Sequence, residues 1–134
     1  MTDHKITPFL TYPGTAEEAM TFYVSLFEQS EVLSIERYGP DEAGTEGTIK
    51  LAEFSLKGQR FLCSDTNYPH AWTFTPAVSL MVRCISAAEI EGLYSRLGKE
   101  GQVLMPLGPY PFAGTFAWVA DRFGVSWQLM LEET

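Results

Sequence analysis

An internal repeat is the feature of this 134-residue chain that most restricts its fold. The segment TAEEAMTFYVSLF, which begins at Thr15, matches SAAEIEGLYSRLG, which begins at Ser86. In this alignment Tyr23 corresponds to Tyr94, and the acidic and apolar positions around the two tyrosines also coincide. A duplication of this kind indicates two copies of one supersecondary unit.

Both copies of the repeat are predicted to be helices that begin with a capping box. Thr15 is followed three residues later by Glu18, and Ser86 by Glu89. In such a pair, the hydroxyl and the carboxylate each satisfy a backbone N–H group that the first helical turn leaves unpaired. In the first helix, apolar side chains recur every three or four residues, which predicts one face that packs on a sheet. These side chains are Ala16, Met20, Tyr23 and Phe27.

Strand-like runs surround the two helices in the same order. They are rich in β-branched and aromatic residues and are bounded by residues that favour turns. The sequence therefore predicts an α+β fold class, with tandem βαβββ modules that form a curved mixed sheet around a cleft. The runs are residues 6–12, 32–38, 47–56 and 59–65 around the first helix, and 77–84, 102–106, 114–121 and 125–131 around the second.

The predicted organisation is a single domain, residues 1–134, made of two modules and a linker. Prolines in the linker TNYPHAWTFTP argue against a continuous strand there. PLGPYPFAG (106–114) is predicted to be either an ordinary long loop or a lid over a pocket. The predicted bounds are residues 5–65 for the first module, 66–76 for the linker and 77–131 for the second module.

Composition and charge exclude several classes of function. The formal net charge is −8, and the nine Lys and Arg residues are scattered, whereas nucleic-acid binding depends on clustered basic residues. No apolar run approaches the roughly 20 residues that span a bilayer, and MTDHKITPF lacks the apolar region of a signal peptide. Cys63 and Cys84 lack CxxC spacing and are predicted to be buried free thiols. We therefore expect a cytoplasmic protein that binds neither nucleic acid nor membranes.

Several motifs taken together resemble a known protein family. The chain carries ITPFLTYPGTAEEAMTFYVSLF, EVLSIERYG, FSLKGQRFLCSD, FTPAVSLMVRC and DRFGVSWQLM. With the duplicated βαβββ order, these resemble the PhnB-like branch of the vicinal oxygen chelate superfamily of glyoxalases, bleomycin-resistance proteins and extradiol dioxygenases. Proteins of this branch often carry the label 3-demethylubiquinone-9 3-methyltransferase-like. The resemblance covers most of the chain and implies a homodimer, which we expect the first strand and the helix of each module to form.

Methyl transfer itself is not expected. Most S-adenosylmethionine enzymes of that kind have a Gly-rich turn after a first parallel strand, and an acidic residue that ends the next strand. The chain contains no such Gly-rich fingerprint. The resemblance therefore predicts the superfamily fold but not the activity that the label describes.

The resemblance also implies where a metal ion would bind. In metal-using members, two His and two Glu, or a similar set, come from the first and last strands of each module. The corresponding residues here offer one weak neutral ligand, the amide of Gln128, so we predict no metal and no other cofactor. Gln128 is then predicted either to hydrogen-bond a small molecule or to hold neighbouring backbone. The four positions are Pro8, Leu62, Ala77 or Ser79, and Gln128.

Aromatic residues of the second half are candidates for the walls of a ligand pocket. Alternation along GTFAWVAD places Phe116 and Trp118 on one face of a strand, and large flat side chains make apolar walls around a few polar groups. His70 could act as a base or a metal ligand, or could be a lone surface histidine, as is predicted for His4. The pocket candidates are Gln128, Ser79, Trp118, Phe116, Trp72, Tyr110 and His70.

Three charged residues near the helices and turns have structural interpretations. Glu17 suits the positive end of the first helix dipole on a solvated face. Asp121 is predicted to form a turn with its own backbone. Arg122 beside it could meet an anionic ligand, but a surface role is favoured.

Three functional hypotheses follow from these residues, and they leave open whether a reaction is catalysed. The first is a dimer that binds a small apolar or aromatic molecule without a metal. The second is a metal-dependent lyase, isomerase or dioxygenase, whose metal would be held by His70, Asp65 or Glu53. The third is resistance by sequestration of a cationic ligand, which the net charge of −8 permits.

Overall fold

The computed structural model describes residues 6–68 and 70–132, and His4 lies outside these ranges. The chain divides into two compact units between residues 69 and 70, within the predicted linker. Each unit is a four-stranded mixed sheet with one helix, which confirms the predicted α+β class. Among the described residues, no helix is long and apolar enough to cross a membrane.

The first unit contains the first predicted βαβββ order. Its strands are β1 (Phe9–Tyr12), β2 (Glu31–Arg37), β3 (Ile49–Leu56) and β4 (Gln59–Asp65), and its helix is α1 (Ala16–Leu26). The sheet order is β1-β4-β3-β2, in which β1 runs parallel to β4 and the other pairs are antiparallel. Both β1 and β2 are therefore edge strands.

Aromatic side chains form the core of the first unit. The rings of Phe54 and Phe61 stack with centroids 5.2 Å apart, and Tyr23 of α1 lies 6.5 Å from Phe54. The hydroxyl of Tyr12 donates a hydrogen bond to that of Tyr23 over 3.3 Å. The predicted apolar face of α1 is confirmed, because its buried residues are Ala16, Ala19, Met20, Tyr23 and Leu26.

The start of α1 differs from the prediction. Thr15 makes no side-chain capping hydrogen bond. Oδ1 of Asp65 instead accepts the N–H groups of Gly14 and Ala16, over 3.0 and 2.9 Å. The hydroxyl half of the capping box predicted at Thr15 is therefore wrong, and a carboxylate from the end of β4 binds other N–H groups at the start of α1.

The second unit repeats the same order of elements. Its strands are β5 (Ser79–Cys84), β6 (Gln102–Tyr110), β7 (Gly114–Ala120) and β8 (Ser126–Leu131), and its helix is α2 (Ala87–Gly98). The sheet order is β5-β8-β7-β6, with β5 parallel to β8. The capping box of α2 is confirmed at Ser86, whose Oγ accepts the N–H of Glu89 over 3.1 Å. The Glu89 carboxylate accepts the N–H of Ile85 over 2.8 Å.

The loop or lid predicted at residues 106–114 is mostly strand. β6 continues to Tyr110, and only residues 111–113 form a turn before β7. Prolines are tolerated at edge strands because an N–H group is not required on the unpaired side, and β6 lies at the edge of its sheet. The Tyr110 hydroxyl also donates a 2.7 Å hydrogen bond to the carbonyl of Pro106.

The two faces of the second sheet have different surroundings. Val103 and Val119 are the side chains nearest to Gly98 of α2, so they mark the helix-covered face. Because Val119 pairs with Trp127, that buried tryptophan lies on the same face. Side chains alternate along a strand, so the next residues, Trp118 and Gln128, lie on the face opposite α2.

Candidate functional site

A row of polar side chains crosses the sheet face opposite α2. Trp118 of β7 pairs with Gln128 of β8. Ser126 lies two residues before Gln128 and pairs with Ser79 of β5, so it shares this face. We call Trp118, Ser126, Ser79 and Gln128 the polar row.

The polar row is connected by hydrogen bonds. The indole Nε1–H of Trp118 donates to Ser126 Oγ over 2.8 Å. Ser126 Oγ and Ser79 Oγ lie 2.7 Å apart. Nε2 of Gln128 donates to Ser79 Oγ over 3.3 Å. These contacts hold the four side chains in defined positions on rigid strands.

The hydrogen inventory of the polar row leaves groups that can bind a ligand. Each serine Oγ already accepts one N–H. The two hydroxyls carry two hydrogens, of which one forms the serine–serine bond and the other can be donated to another group. Oε1 of Gln128 accepts no hydrogen bond from residues 6–68 or 70–132. The row therefore retains one unused hydroxyl hydrogen and one unused amide carbonyl, and the hydrogen is accessible when it belongs to Ser79, because Ser126 is buried.

Apolar side chains lie on the same sheet face as the polar row. Met81 pairs with Gln128 on this face, and 43% of its surface is exposed. Phe116, also on this face, packs edge-on against Phe112 with centroids 5.0 Å apart. A shallow depression of about 320 Å³ lies beyond Phe116, lined by residues 111–114 and 130–132. None of the four residues of the polar row lines this depression, so the exposed apolar surface next to the row is that of Met81.

Five of the predicted pocket residues lie on or beside this surface. Ser79, Gln128 and Trp118 belong to the polar row, Phe116 shares its face, and the Tyr110 ring lies 5.8 Å from Phe116. The predicted alternation of Phe116 and Trp118 is confirmed.

His70 and Trp72 form a separate group in the second unit. Their rings stack with centroids 4.0 Å apart, and both side chains are exposed. No hydrogen bond of the polar row involves either residue.

Ser126 is the residue of the site that sequence reasoning missed. It lies two positions before Gln128 in the strand VSWQLML. Period-two alternation would have placed the two side chains on one face. Its side chain is 2% exposed and joins Trp118 to Ser79.

The strand register changes two of the four positions at which the family resemblance implies a metal ligand. Leu62 pairs with Phe9, whereas Pro8 precedes β1 and accepts the Leu62 N–H through its carbonyl. Ala77 likewise precedes β5, and Met81 is the residue paired with Gln128. The two residue pairs on the first and last strands of each unit are thus Phe9 with Leu62 and Met81 with Gln128. Three of these side chains are apolar and one is a neutral amide, a set that does not suit a divalent cation. Within residues 6–68 and 70–132, no group of three or more His, Cys, Asp or Glu side chains could hold a metal ion.

Asp65, one alternative metal ligand, has a structural role in the first unit. Its side chain is 5% exposed. In addition to the two N–H groups before and in α1, it accepts the N–H of Ile49 through Oδ2 over 2.9 Å. One carboxylate thus joins the end of β4, the start of α1 and the start of β3.

Glu53, another alternative ligand, forms an ion pair. Its Oε2 lies 2.7 Å from Nη1 of Arg60 on the adjacent strand. The carboxylates of Glu53 and Asp65 are therefore each engaged in contacts within the first unit.

Asp121 confirms the turn prediction and extends it. Oδ1 accepts the N–H groups of Phe123 and Val125 over 2.9 and 3.0 Å. Oδ2 accepts the indole N–H of Trp127 over 2.9 Å. The side chain is buried, and its bonds to Val125 and Trp127 hold the start of β8, the strand that carries Ser126 and Gln128.

Glu17 forms an ion pair beyond the predicted helix-dipole role. Its two carboxylate oxygens each accept a 2.8 Å hydrogen bond from the guanidinium of Arg37. This hydrogen bonding lowers the pKa of Glu17 and raises that of Arg37. Since both side chains are exposed, the pair contributes little to stability.

Both cysteines are buried free thiols, as predicted. Burial raises the pKa of Cys63 to about 12, with a further contribution from the negative charge of Asp65. A thiol with such a pKa remains protonated at neutral pH, and the protonated form is a poor nucleophile and metal ligand. We therefore assign Cys63 to the core.

Comparisons with known proteins identify the family of the chain. The family model described as 3-demethylubiquinone-9 3-methyltransferase matches residues 4–130. The PhnB protein from Bacillus cereus is 52% identical, over 96% of this chain and 99% of its own, with a TM-score of 0.93. Protein PA1353 from Pseudomonas aeruginosa is 29% identical, over 96% and 98% of the two chains, with a TM-score of 0.83.

More distant structures share the fold alone. A glyoxalase/bleomycin resistance protein from Albidiferax ferrireducens T118 is 10% identical, over 96% of this chain and 98% of its own. Its TM-score is 0.60. No curated protein matches the chain.

Proposed function

Because this chain belongs to the 3-demethylubiquinone-9 3-methyltransferase family, the PhnB-like branch of the glyoxalase superfamily, we propose that it binds a small apolar or aromatic molecule. The site is the sheet face opposite α2 in the second unit. The absence of a Gly-rich S-adenosylmethionine fingerprint argues against methyl transfer as its activity.

The hydrogen-bond arrangement of the polar row is the observation that carries this proposal. An unused hydroxyl hydrogen and the unused carbonyl of Gln128 match a neutral group that both accepts and donates, such as an amide. The exposed surface of Met81 suits an apolar or aromatic body next to that group. The ligand thus combines a hydrogen-bonding head with an apolar ring or chain.

We propose that binding does not require the usual metal of the superfamily. Support comes from the donor set, since Phe9, Leu62 and Met81 offer no hard ligand and Gln128 offers only a neutral amide. The alternative, a metal-dependent lyase, isomerase or dioxygenase, would need ligands from His70, Asp65 or Glu53, and the two acids would have to leave the contacts that they make.

A homodimer and a cytoplasmic location are also part of the proposal. The first strands, β1 and β5, are both edge strands, and Phe9 on β1 is 51% exposed. Edge strands with apolar side chains are commonly covered by another chain. Two buried free thiols suit a reducing compartment. Light scattering is expected to give the mass of two 15.0 kDa chains, and a single-chain mass would refute the dimer.

Replacement of Gln128 by leucine tests the binding site. Leucine keeps much of the volume but removes both polar groups of the amide. We expect Gln128→Leu to weaken benzamide binding about tenfold, because the ligand amide loses its hydrogen-bond partner. Ligand-observed NMR titration with benzamide measures this, with toluene as a probe that lacks the head group.

Gln102→Leu is the matched control for this experiment. Gln102 is exposed on β6 and lies outside the polar row. Its replacement by leucine removes the same amide group as Gln128→Leu does. Benzamide should bind this variant like the parent protein, and toluene should bind all three proteins alike. Equal benzamide affinities for Gln128→Leu and the parent protein would contradict the proposed site.

A further inference from the structure

Arg83 occupies the end of the proposed binding face that is farthest from Ser79 along β5. It pairs with Met130 of β8, and alternation places it on the same face as Met81 and Ser79. It is exposed and forms no ion pair with residues 6–68 or 70–132. Its guanidinium therefore has its charge and donors available to a ligand.

The face changes in chemistry along β5. Ser79 belongs to the neutral polar row, Met81 is apolar, and Arg83 is cationic. At about 3.3 Å per residue, the Cα atoms of Ser79 and Arg83 are about 13 Å apart. The length and flexibility of an arginine side chain allow its charged end to approach a ligand of one aromatic ring that lies over Met81.

We propose that the ligand carries an anionic group, such as a carboxylate, which binds Arg83 while its neutral head binds the polar row. This inference rests on the proposed function, because it extends the same site. It specifies an elongated molecule with a neutral hydrogen-bonding head, an apolar middle and an acidic end. Such a ligand differs in charge from the cationic ligand of the sequestration hypothesis.

An acidic residue, Glu132, lies near the same end of the face and could favour a ligand of the opposite charge. Glu132 lines the depression next to Met130 and is exposed. If Glu132 rather than Arg83 controlled this end of the face, a cationic ligand would be preferred. The net charge of −8 also favours cationic over anionic ligands at long range.

The test compares three para-substituted benzamides by NMR titration of the purified protein. Terephthalamate has a carboxylate, its methyl ester is neutral, and para-aminomethylbenzamide is cationic. We expect terephthalamate to bind about fivefold more tightly than the ester, and the amine to bind most weakly. Added salt should reduce this difference because the guanidinium is exposed.

Arg83→Gln should abolish the preference for terephthalamate without changing the affinity for the ester. Arg96→Gln is the matched control, because Arg96 is exposed on α2, which covers the other face. Equal affinities for acid and ester, a preference that survives in Arg83→Gln, or tightest binding of the amine would each overturn this proposal. Benzamide itself separates the two proposals when no preference for terephthalamate is found. If benzamide still binds through Gln128, only the proposal of an anionic end is refuted, and if benzamide does not bind, both proposals are refuted.

Discussion

Asp65→Ala is expected to lower the free energy of unfolding by about 3 to 5 kcal/mol. The carboxylate accepts three backbone N–H groups, from Gly14, Ala16 and Ile49. Alanine would leave the buried N–H groups of Ala16 and Ile49 without their acceptor, and each such group costs about 1 to 3 kcal/mol. Urea unfolding followed by circular dichroism measures the change.

Asp41→Ala is the control for the loss of one carboxylate. Asp41 is exposed in the loop between β2 and β3, so its replacement should change stability by less than about 0.5 kcal/mol. Asp65→Asn is expected to lose much of the stability as well, because an amide NH₂ would face a backbone N–H. Similar stabilities for Asp65→Ala and Asp41→Ala would refute the structural role of Asp65.

Gly101→Ala is expected to destabilise the protein by about 3 kcal/mol. A Cβ atom at this position would lie 2.1 Å from the carbonyl oxygen of Ala120 and 3.0 Å from the carbonyl carbon of Asp121. Both neighbours are backbone atoms at the end of β7, so a rotamer change cannot relieve the overlap. The displaced segment includes Asp121, whose turn fixes the start of β8.

Gly92→Ala provides a control with the opposite expected sign. Gly92 lies within α2, and an added Cβ would meet no atom within 4 Å. Alanine in an exposed helix interior is favoured over glycine by about 1 kcal/mol. Thermal unfolding of both variants should therefore show a lower midpoint for Gly101→Ala and a higher one for Gly92→Ala. Equal midpoints would contradict the close backbone approach at Gly101.

The fold could be predicted because local signals recur in both halves of the sequence. Ser86 and Glu89 identify the start of α2, and the period-two pattern around Trp118 identifies the faces of β7. Such signals depend on residues that are close in the chain. The family motifs added a second, independent indication of the same architecture.

Contacts between distant residues were much harder to predict. The start of α1 is held by Asp65, and no local pattern around Thr15 reveals a partner so far along the chain. The same limit applies to the serine pair of the polar row, because it depends on the parallel register of β5 and β8. The prolines of β6 indicate a loop, whereas the edge position that lets a strand accommodate them depends on the order of strands in the sheet.

The central claim is that the polar row binds the neutral, hydrogen-bonding head group of a small molecule. Its most direct test is a two-dimensional ¹H–¹⁵N NMR titration with benzamide that follows assigned side-chain signals. The side-chain amide of Gln128 and the indole N–H of Trp118 are predicted to shift and saturate together, whereas the signals of Trp72 and Gln102 stay unchanged. Absence of saturable shifts at Gln128 and Trp118, or shifts centred on Trp72, would contradict the claim.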